Sequence, residues 1–266
     1  MHISAYGVLI SLGMLSTYGV SMILSRGTGL HKHIDRVFLW ALIPGVVCAR
    51  LLFVLYHPNY FLQYPTEIIA VWHGGWVWHG ALAGGLLGIW VYCKRTTLSL
   101  LALLDTLAPG VALGQAIGRW GNFFNQEAYG LPTNVPWSIP IDTAHRLPGF
   151  EQFARFHPTF LYESSVDLGL FLLLSLLFLS SRPKGGIPSH LQSAGFLGKL
   201  GMTQGVLFFI YLFLYSTARF GIEFLRIDSV PTILGLRAPQ WISVVLLLVG
   251  VAGLVRVLHK QKKLVY

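Results

Sequence analysis

Apolar residues run in blocks of about twenty, and short polar or glycine- and proline-bearing stretches separate the blocks. Seven spans can be drawn, near residues 6–25, 37–56, 76–93, 98–118, 158–180, 203–225 and 239–258. Each approaches the ~20 residues that cross a hydrocarbon core of ~30 Å as a helix. The runs lack the alternation of a barrel strand, and backbone polar groups in lipid must pair internally, so helices are predicted. The third span carries Gly80, Gly84, Gly85 and Gly88, a small-xxx-small pattern that predicts tight packing on a neighbouring helix. The expectation is an all-α polytopic membrane protein of about seven transmembrane helices, a single integral-membrane domain over residues 1–266.

Composition supports this reading. The chain is 54% hydrophobic and 11% charged, against roughly 25% charged for soluble domains. Its net charge of +9 does not point to nucleic acid, because the lysines and about half the arginines sit in short loops where a bilayer surface accounts for them. Cys48 and Cys93 read as small buried hydrophobes. No basic stretch precedes the first apolar run and no small-residue cleavage site follows it, so no cleavable signal peptide is expected.

The loop charges are asymmetric. Arg26, Lys32, Arg36, Lys94, Arg95, Arg182, Lys184, Lys199, Arg256, Lys260, Lys262 and Lys263 fall on one side; Arg119, Arg146, Arg155, Arg219, Arg226 and Arg237 fall on the other. The positive-inside rule places the first set in the cytoplasm, the N-terminus outside and the C-terminus inside. The outer set is all arginine, the residue whose planar fork grips phosphate at two points. The longest loop, 119–157, is also outside. It holds Pro132, Pro136, Pro140 and Pro148, ends at Pro158, and predicts an irregular extracytoplasmic cap.

Several polar clusters interrupt this pattern. The run Gly118 to Gly130 combines Arg119, Asn122, Asn125 and Glu127 at the edge of an apolar span. Charge there is costly and marks a functional site by default; Glu127 could orient Arg119 or act as a base, and Gly130 could admit a ligand to the backbone. Tyr215, Arg219, Glu223 and Arg226, at steps of four, four and three, share one helix face, facing either a polar cavity or an ion pair that locks two helices. His79, beside Trp78, is either structural or a proton acceptor. Tyr6 opens the first span, where an interfacial anchor is the plainer reading. Glu163, after His157-Pro158-Thr159, is expensive unless paired, with Arg50 a possible partner. No metal-ligand spacing emerges. Arg119, Glu127, His79, Arg219, Glu223, Tyr6 and His157 all fall on the outer side, which favours one convergent pocket.

At these residues the chain resembles the prolipoprotein diacylglyceryl transferase family. Residues 118–130 match every specified position of its signature Gly-Arg-x-Gly-Asn-Phe-(apolar)-Asn-x-Glu-x-x-Gly. The likeness extends to Tyr6-Gly7, Trp78-His79-Gly80, His157-Pro158-Thr159, Leu161-Tyr162-Glu163, Arg219-Phe220, Glu223-Phe224 and Arg226. Departures are Cys48 before Ala49-Arg50, Ala81 after His79-Gly80, and a shortened leading segment. The resemblance implies a seven-helix body with a periplasmic head (119–157) in a bacterial cytoplasmic (inner) membrane. It implies transfer of diacylglyceryl from phosphatidylglycerol to the lipobox cysteine thiol of a preprolipoprotein, with no metal or organic cofactor. Arg119 and Arg219 would hold the phosphate, oriented by Glu127 and Glu223, and His79 would take the thiol proton. Tyr6, Asn122, Asn125, Gly130, Tyr215 and Arg226 would line the substrate site. A lipid transporter or scramblase is the competing class. It requires a polar path across the whole membrane, whereas these charges stop on one side. An intramembrane protease lacks its serine motif or aspartate pair, Asp167 being alone.

Overall fold

The apolar runs fold as helices in the computed structural model, in which residues 5–180 and 204–265 are described. The segment carrying Arg182, Lys184 and Lys199 lies outside them, as do the side chains of Lys262 and Lys263. The long helices are α1 (Ala5–Ser25), α2 (Ile34–Tyr56), α4 (Trp78–Thr96), α5 (Leu100–Gly118), α7 (Thr159–Ser180), α8 (Val206–Ile222) and α9 (Ala238–Val265). Short helices α3 (Pro58–Gln63) and α6 (Trp120–Phe124) follow α2 and α5. Among the described residues, six stretches are long and apolar enough to cross a membrane, making this a multi-pass membrane protein. They are Ala5–Ser25, His31–Tyr56, Leu100–Phe124, Thr159–Ser180, Val206–Leu225 and Ala238–Lys260. The seventh expected span corresponds to α4. At 19 residues it has the length, but its four glycines and its closing Lys94 and Arg95 dilute its apolar character.

The chain divides into two compact units, residues 28–103 and residues 1–27 with 104–266. In the first, α4 packs on α2 through its glycines. A Cβ on Gly80 would stand 2.5 Å from the Cys48 carbonyl oxygen, and Cβ atoms on Gly84 and Gly88 would collide with the carbonyls of Pro44 and Trp40. Each step is one turn on both helices, the close approach predicted for small-xxx-small. Arg50, buried at the end of α2, donates to the carbonyls of Ile68 (3.0 Å), Gly74 (2.5 Å), Gly75 (3.1 Å) and Glu67. It folds the 67–75 segment over itself.

In the second unit α1 meets α5 through Gly13 and Gly114, where a Cβ on Gly13 would lie 2.7 Å from the Gly114 oxygen. Thr17 Oγ1 donates to the Gly110 carbonyl at 2.9 Å across the same contact. Leu24, Ala112, Leu174, Phe178 and Leu207 form the core where α1, α5, α7 and α8 converge. Asp105, buried inside α5, accepts from the backbone N–H groups of Gly205 (2.6 Å) and Phe208 (2.8 Å). It caps α8 by accepting from N–H groups that have no partner within the helix.

The 119–157 segment is irregular, as its prolines predict. Its regular structure beyond α6 is one antiparallel pair, β1 (Ile139–Pro140) with β2 (Arg155–Phe156), and one short 3₁₀ turn. Tyr129, Ile141 and Phe156 pack beneath it. The Tyr129 hydroxyl donates to the His145 carbonyl and accepts from the Leu147 N–H, both at 2.8 Å. A hairpin of β3 (Thr232–Ile233) and β4 (Leu236–Arg237) joins α8 to α9.

Candidate functional site

α8 delivers Tyr215 and Arg219 from one face, and the 3₁₀ turn that extends it over Glu223–Leu225 adds Glu223 and then Arg226. α7 contributes Glu163 one turn from its start. Arg119 sits at the joint between α5 and α6. These parts meet at Glu163. Its Oε2 lies 2.7 Å from Arg119 Nε, and its Oε1 lies 2.8 Å from Arg219 Nη1 and 3.4 Å from Arg226 Nη1. A single carboxylate with 5% of its side chain exposed therefore holds three guanidiniums.

A second layer fixes the first. Glu223 places Oε2 2.8 Å from Arg219 Nη1, a charge contact without hydrogen-bond alignment, and accepts from Arg237 Nε at 2.8 Å. Asp228 pairs with Arg226 Nε at 2.9 Å and Arg237 Nη2 at 3.3 Å. Burial alone would raise the Asp228 pKa; the hydrogen bond from Arg226 and the charges of Arg226 and Arg237 outweigh it and hold the carboxyl below its ordinary value. Breaking such a buried network by removing one partner costs far more than the network adds, so the arginines are rigidly placed.

The arginines are not used up. Among the described residues, Arg119 spends Nε on Glu163 and donates from Nη2 to the Tyr215 hydroxyl at 3.3 Å. Arg219 spends only Nη1, on the two glutamates. N–H donors remain on both forks, and these side chains are 22% and 15% exposed. Two held guanidiniums with spare donors have the chemistry to pair with an oxyanion such as phosphate.

Comparison with known proteins agrees with this chemistry. The family model described as prolipoprotein diacylglyceryl transferase matches residues 1–256. The chain belongs to the prolipoprotein diacylglyceryl transferase family. The phosphatidylglycerol–prolipoprotein diacylglyceryl transferase of Trichormus variabilis is 40% identical over 251 residues, covering 94% of this chain and 83% of the relative. That of Synechocystis sp. is 39% identical, over 97% of this chain and 87% of its own length. Transferase 2 of Streptomyces coelicolor is 41% identical, over 97% and 76%.

The structure sorts the residues singled out from this transferase-family sequence. Arg119, Tyr215, Arg219, Glu223 and Arg226 converge as described. Glu127 does not orient Arg119: its Oε1 accepts from Asn122 Nδ2 at 3.0 Å and Asn125 Nδ2 at 3.2 Å, closing the turn after α6 on itself. Glu163 takes the orienting place, and its partners are these arginines instead of Arg50, whose donors go to backbone carbonyls. The space beside Gly130 is filled by protein. A Cβ there would stand 2.8 Å from the Leu225 oxygen and 3.0 Å from His157 Cβ, and Gly130 bridges to Arg226 in antiparallel fashion. Tyr6 lays its ring over Gly121, where a Cβ would lie 2.6 Å from Tyr6 Cδ2. His157 Nδ1 is 3.0 Å from the Tyr162 hydroxyl. His79 belongs to the 28–103 unit, exposed on the first turn of α4 beside Trp78. Sequence reasoning gave Asp228 no role and did not pair Arg237 with Glu223. Both sit in or beside a two-residue strand pair whose geometry leaves no periodic signal.

Proposed function

We propose that the protein transfers the diacylglyceryl group of phosphatidylglycerol to the lipobox cysteine thiol of a preprolipoprotein. The carrying observation is the pair Arg119 and Arg219, gripped by one buried carboxylate with donors to spare. In the reaction the thiol loses its proton and its sulfur attacks the saturated glyceryl carbon bearing the phosphate ester. The C–S bond forms as the C–O bond breaks, and glycerol phosphate leaves with the electron pair. Negative charge grows on the departing phosphate, and preorganised guanidiniums stabilise that charge without reorganising. A free thiol has a pKa near 8.5, so a base accelerates attack. His79 is our candidate, because an imidazole nitrogen can accept the thiol proton. Tyr215 steadies Arg119, Glu223 and Arg226 steady Arg219 and Glu163, and the Asn122–Asn125–Glu127 turn with Tyr6 shapes the lipid head-group site.

The loop charges support a topology in which α4 completes seven spans. The N-terminus and the 119–157 head then lie in the periplasm, the C-terminus lies in the cytoplasm, and the lipid enters from the outer leaflet of a bacterial inner membrane. The test is conversion of a fluorescent lipobox peptide by purified protein in phosphatidylglycerol micelles. Transfer is lost in Arg119→Ala and Arg219→Ala; near-normal turnover in either overturns the clamp. His79→Gln lowers the rate at neutral pH, and retained turnover removes His79 as the base while leaving the clamp intact.

A further inference from the structure

Beside the arginine pair, α7 and α8 enclose a small cleft lined by Glu163, Val166, Asp167, Tyr215, Ala218 and Arg219. Asp167 follows Glu163 by one helical turn. It is 1% exposed, its Oδ2 is buried, and that oxygen accepts no hydrogen bond among the described residues. No ion pair of the network includes it, although Arg119 and Arg219 are close enough to act on it electrostatically. A buried acceptor left without a donor costs free energy, and here it lines the cleft where the lipid head would sit. A ligand entering the cleft could bring the donor this oxygen lacks. An ammonium would have to sit among guanidiniums, so the fitting donor is a neutral hydroxyl.

We infer that Asp167 accepts a hydrogen bond from a hydroxyl of the phospholipid head group, which makes it a specificity-determining residue for polyol phosphodiesters. This rests on the phosphate clamp proposed above. The arginines read the phosphate, which many lipids share, and Asp167 reads the alcohol esterified to it. A site built to pair with a substrate hydroxyl rejects the analogue lacking it, because the protein group is then left unpaired.

The experiment compares phosphatidylglycerol with phosphatidylpropanol, which carries the same phosphodiester charge and no head-group hydroxyl, as lipid donors to one lipobox peptide. Wild-type kcat/KM favours phosphatidylglycerol about ten- to hundredfold, the range of a hydrogen bond to a charged group. In Asp167→Ala that ratio falls toward one. Asp167→Asn keeps an acceptor oxygen but loses the charge, so its ratio falls only severalfold. It also gives the answer if the alanine variant does not fold. A purely structural role for Asp167 would lower both rates together and leave the ratio intact. An unchanged ratio in the variants, or no discrimination by wild type, overturns the inference. Failure of the clamp reads differently: wild type would use neither lipid, or Arg119→Ala would use both.

Discussion

Glu163 Oε2 lies 2.7 Å from Arg119 Nε. The contact joins α7 to the α5–α6 joint, and the other oxygen of the same carboxylate reaches Arg219 on α8. Removing that charge leaves guanidiniums facing each other in a low-dielectric setting. Glu163→Ala is expected to cost about 3–5 kcal/mol, the range for breaking a buried pair, and Glu163→Gln somewhat less. Transfer falls with both. Thermal unfolding in detergent and peptide lipidation measure the two effects. A Glu163→Gln protein that melts and turns over like wild type would show that the arginines are held by something else.

Lysine cannot replace the forks. Arg119 touches Glu163 and Tyr215 at once, and an ammonium offers one charged point where a planar guanidinium offers several directed donors. Arg119→Lys and Arg219→Lys keep the charge. Each is expected to lower kcat/KM by about 10²–10³, the cost of losing one preorganised donor at developing charge. Rates near wild type in the lysine variants would mean that charge alone suffices.

Two carboxylates compete for the role of Arg119's partner, and stability coupling separates them. Glu127 is exposed and bonded to Asn122 and Asn125, so Glu127→Gln should cost only about 0.5–1.5 kcal/mol. In double-mutant cycles read by unfolding, Arg119 and Glu127 should be additive within about 0.5 kcal/mol, whereas Arg119 and Glu163 should couple by 1 kcal/mol or more, the behaviour of sites in direct contact. The reverse pattern would restore Glu127 as the orienting residue.

The contrast between Glu127 and Glu163 shows where the sequence was informative. Apolar runs of membrane-crossing length announced the helices, because lipid leaves a backbone few alternatives. The glycine ladder of α4 and the Tyr215–Arg219 pair on α8 were legible because both depend on helical periodicity, and Glu223 and Arg226 joined that pair through the 3₁₀ turn that continues α8. Pairings across elements were not. Glu127 lies close to Arg119 in sequence, but the turn after α6 directs it to two asparagines. Glu163 is 44 residues beyond Arg119 by numbering, and nothing local reports that α7 returns it to the same point. Gly130 read as open backbone because sequence does not reveal that Leu225 and His157 fill the space a side chain would need.

The outer layer of the network should weaken in acid. The Asp228 carboxyl is held below its ordinary value of 3.8 by Arg226 and Arg237, against the opposing effect of burial. A depressed carboxylate pKa stabilises the fold at pH values above the unfolded value, and that contribution disappears as pH falls through the folded one. Asp228→Asn is therefore less stable than wild type at pH 7, and the gap narrows as pH drops below about 4. Unfolding temperatures of both proteins from pH 7 to pH 3 measure it. A gap that stays constant with pH would show that the Asp228 charge contributes nothing to the fold.

Gly121 and Gly130 belong to the same thirteen-residue run, but their neighbours differ in kind. A Cβ on Gly121 meets the ring of Tyr6, which can swing, since Tyr6 stands exposed at the start of α1. A Cβ on Gly130 meets the Leu225 carbonyl at 2.8 Å and Thr159 Cγ2 at 2.9 Å, and the backbone there is pinned by Gly130 N–H to His157 O (2.9 Å) and Leu131 N–H to Leu225 O (2.7 Å). Gly130→Ala should therefore cost about 1–3 kcal/mol, the usual penalty of overpacking, and should displace the turn that leads into Arg226. Gly121→Ala should cost less and mainly move Tyr6. Unfolding and lipidation assays on the two variants rank them, and a Gly121→Ala protein less stable than Gly130→Ala would mean that Tyr6 is the more tightly held neighbour.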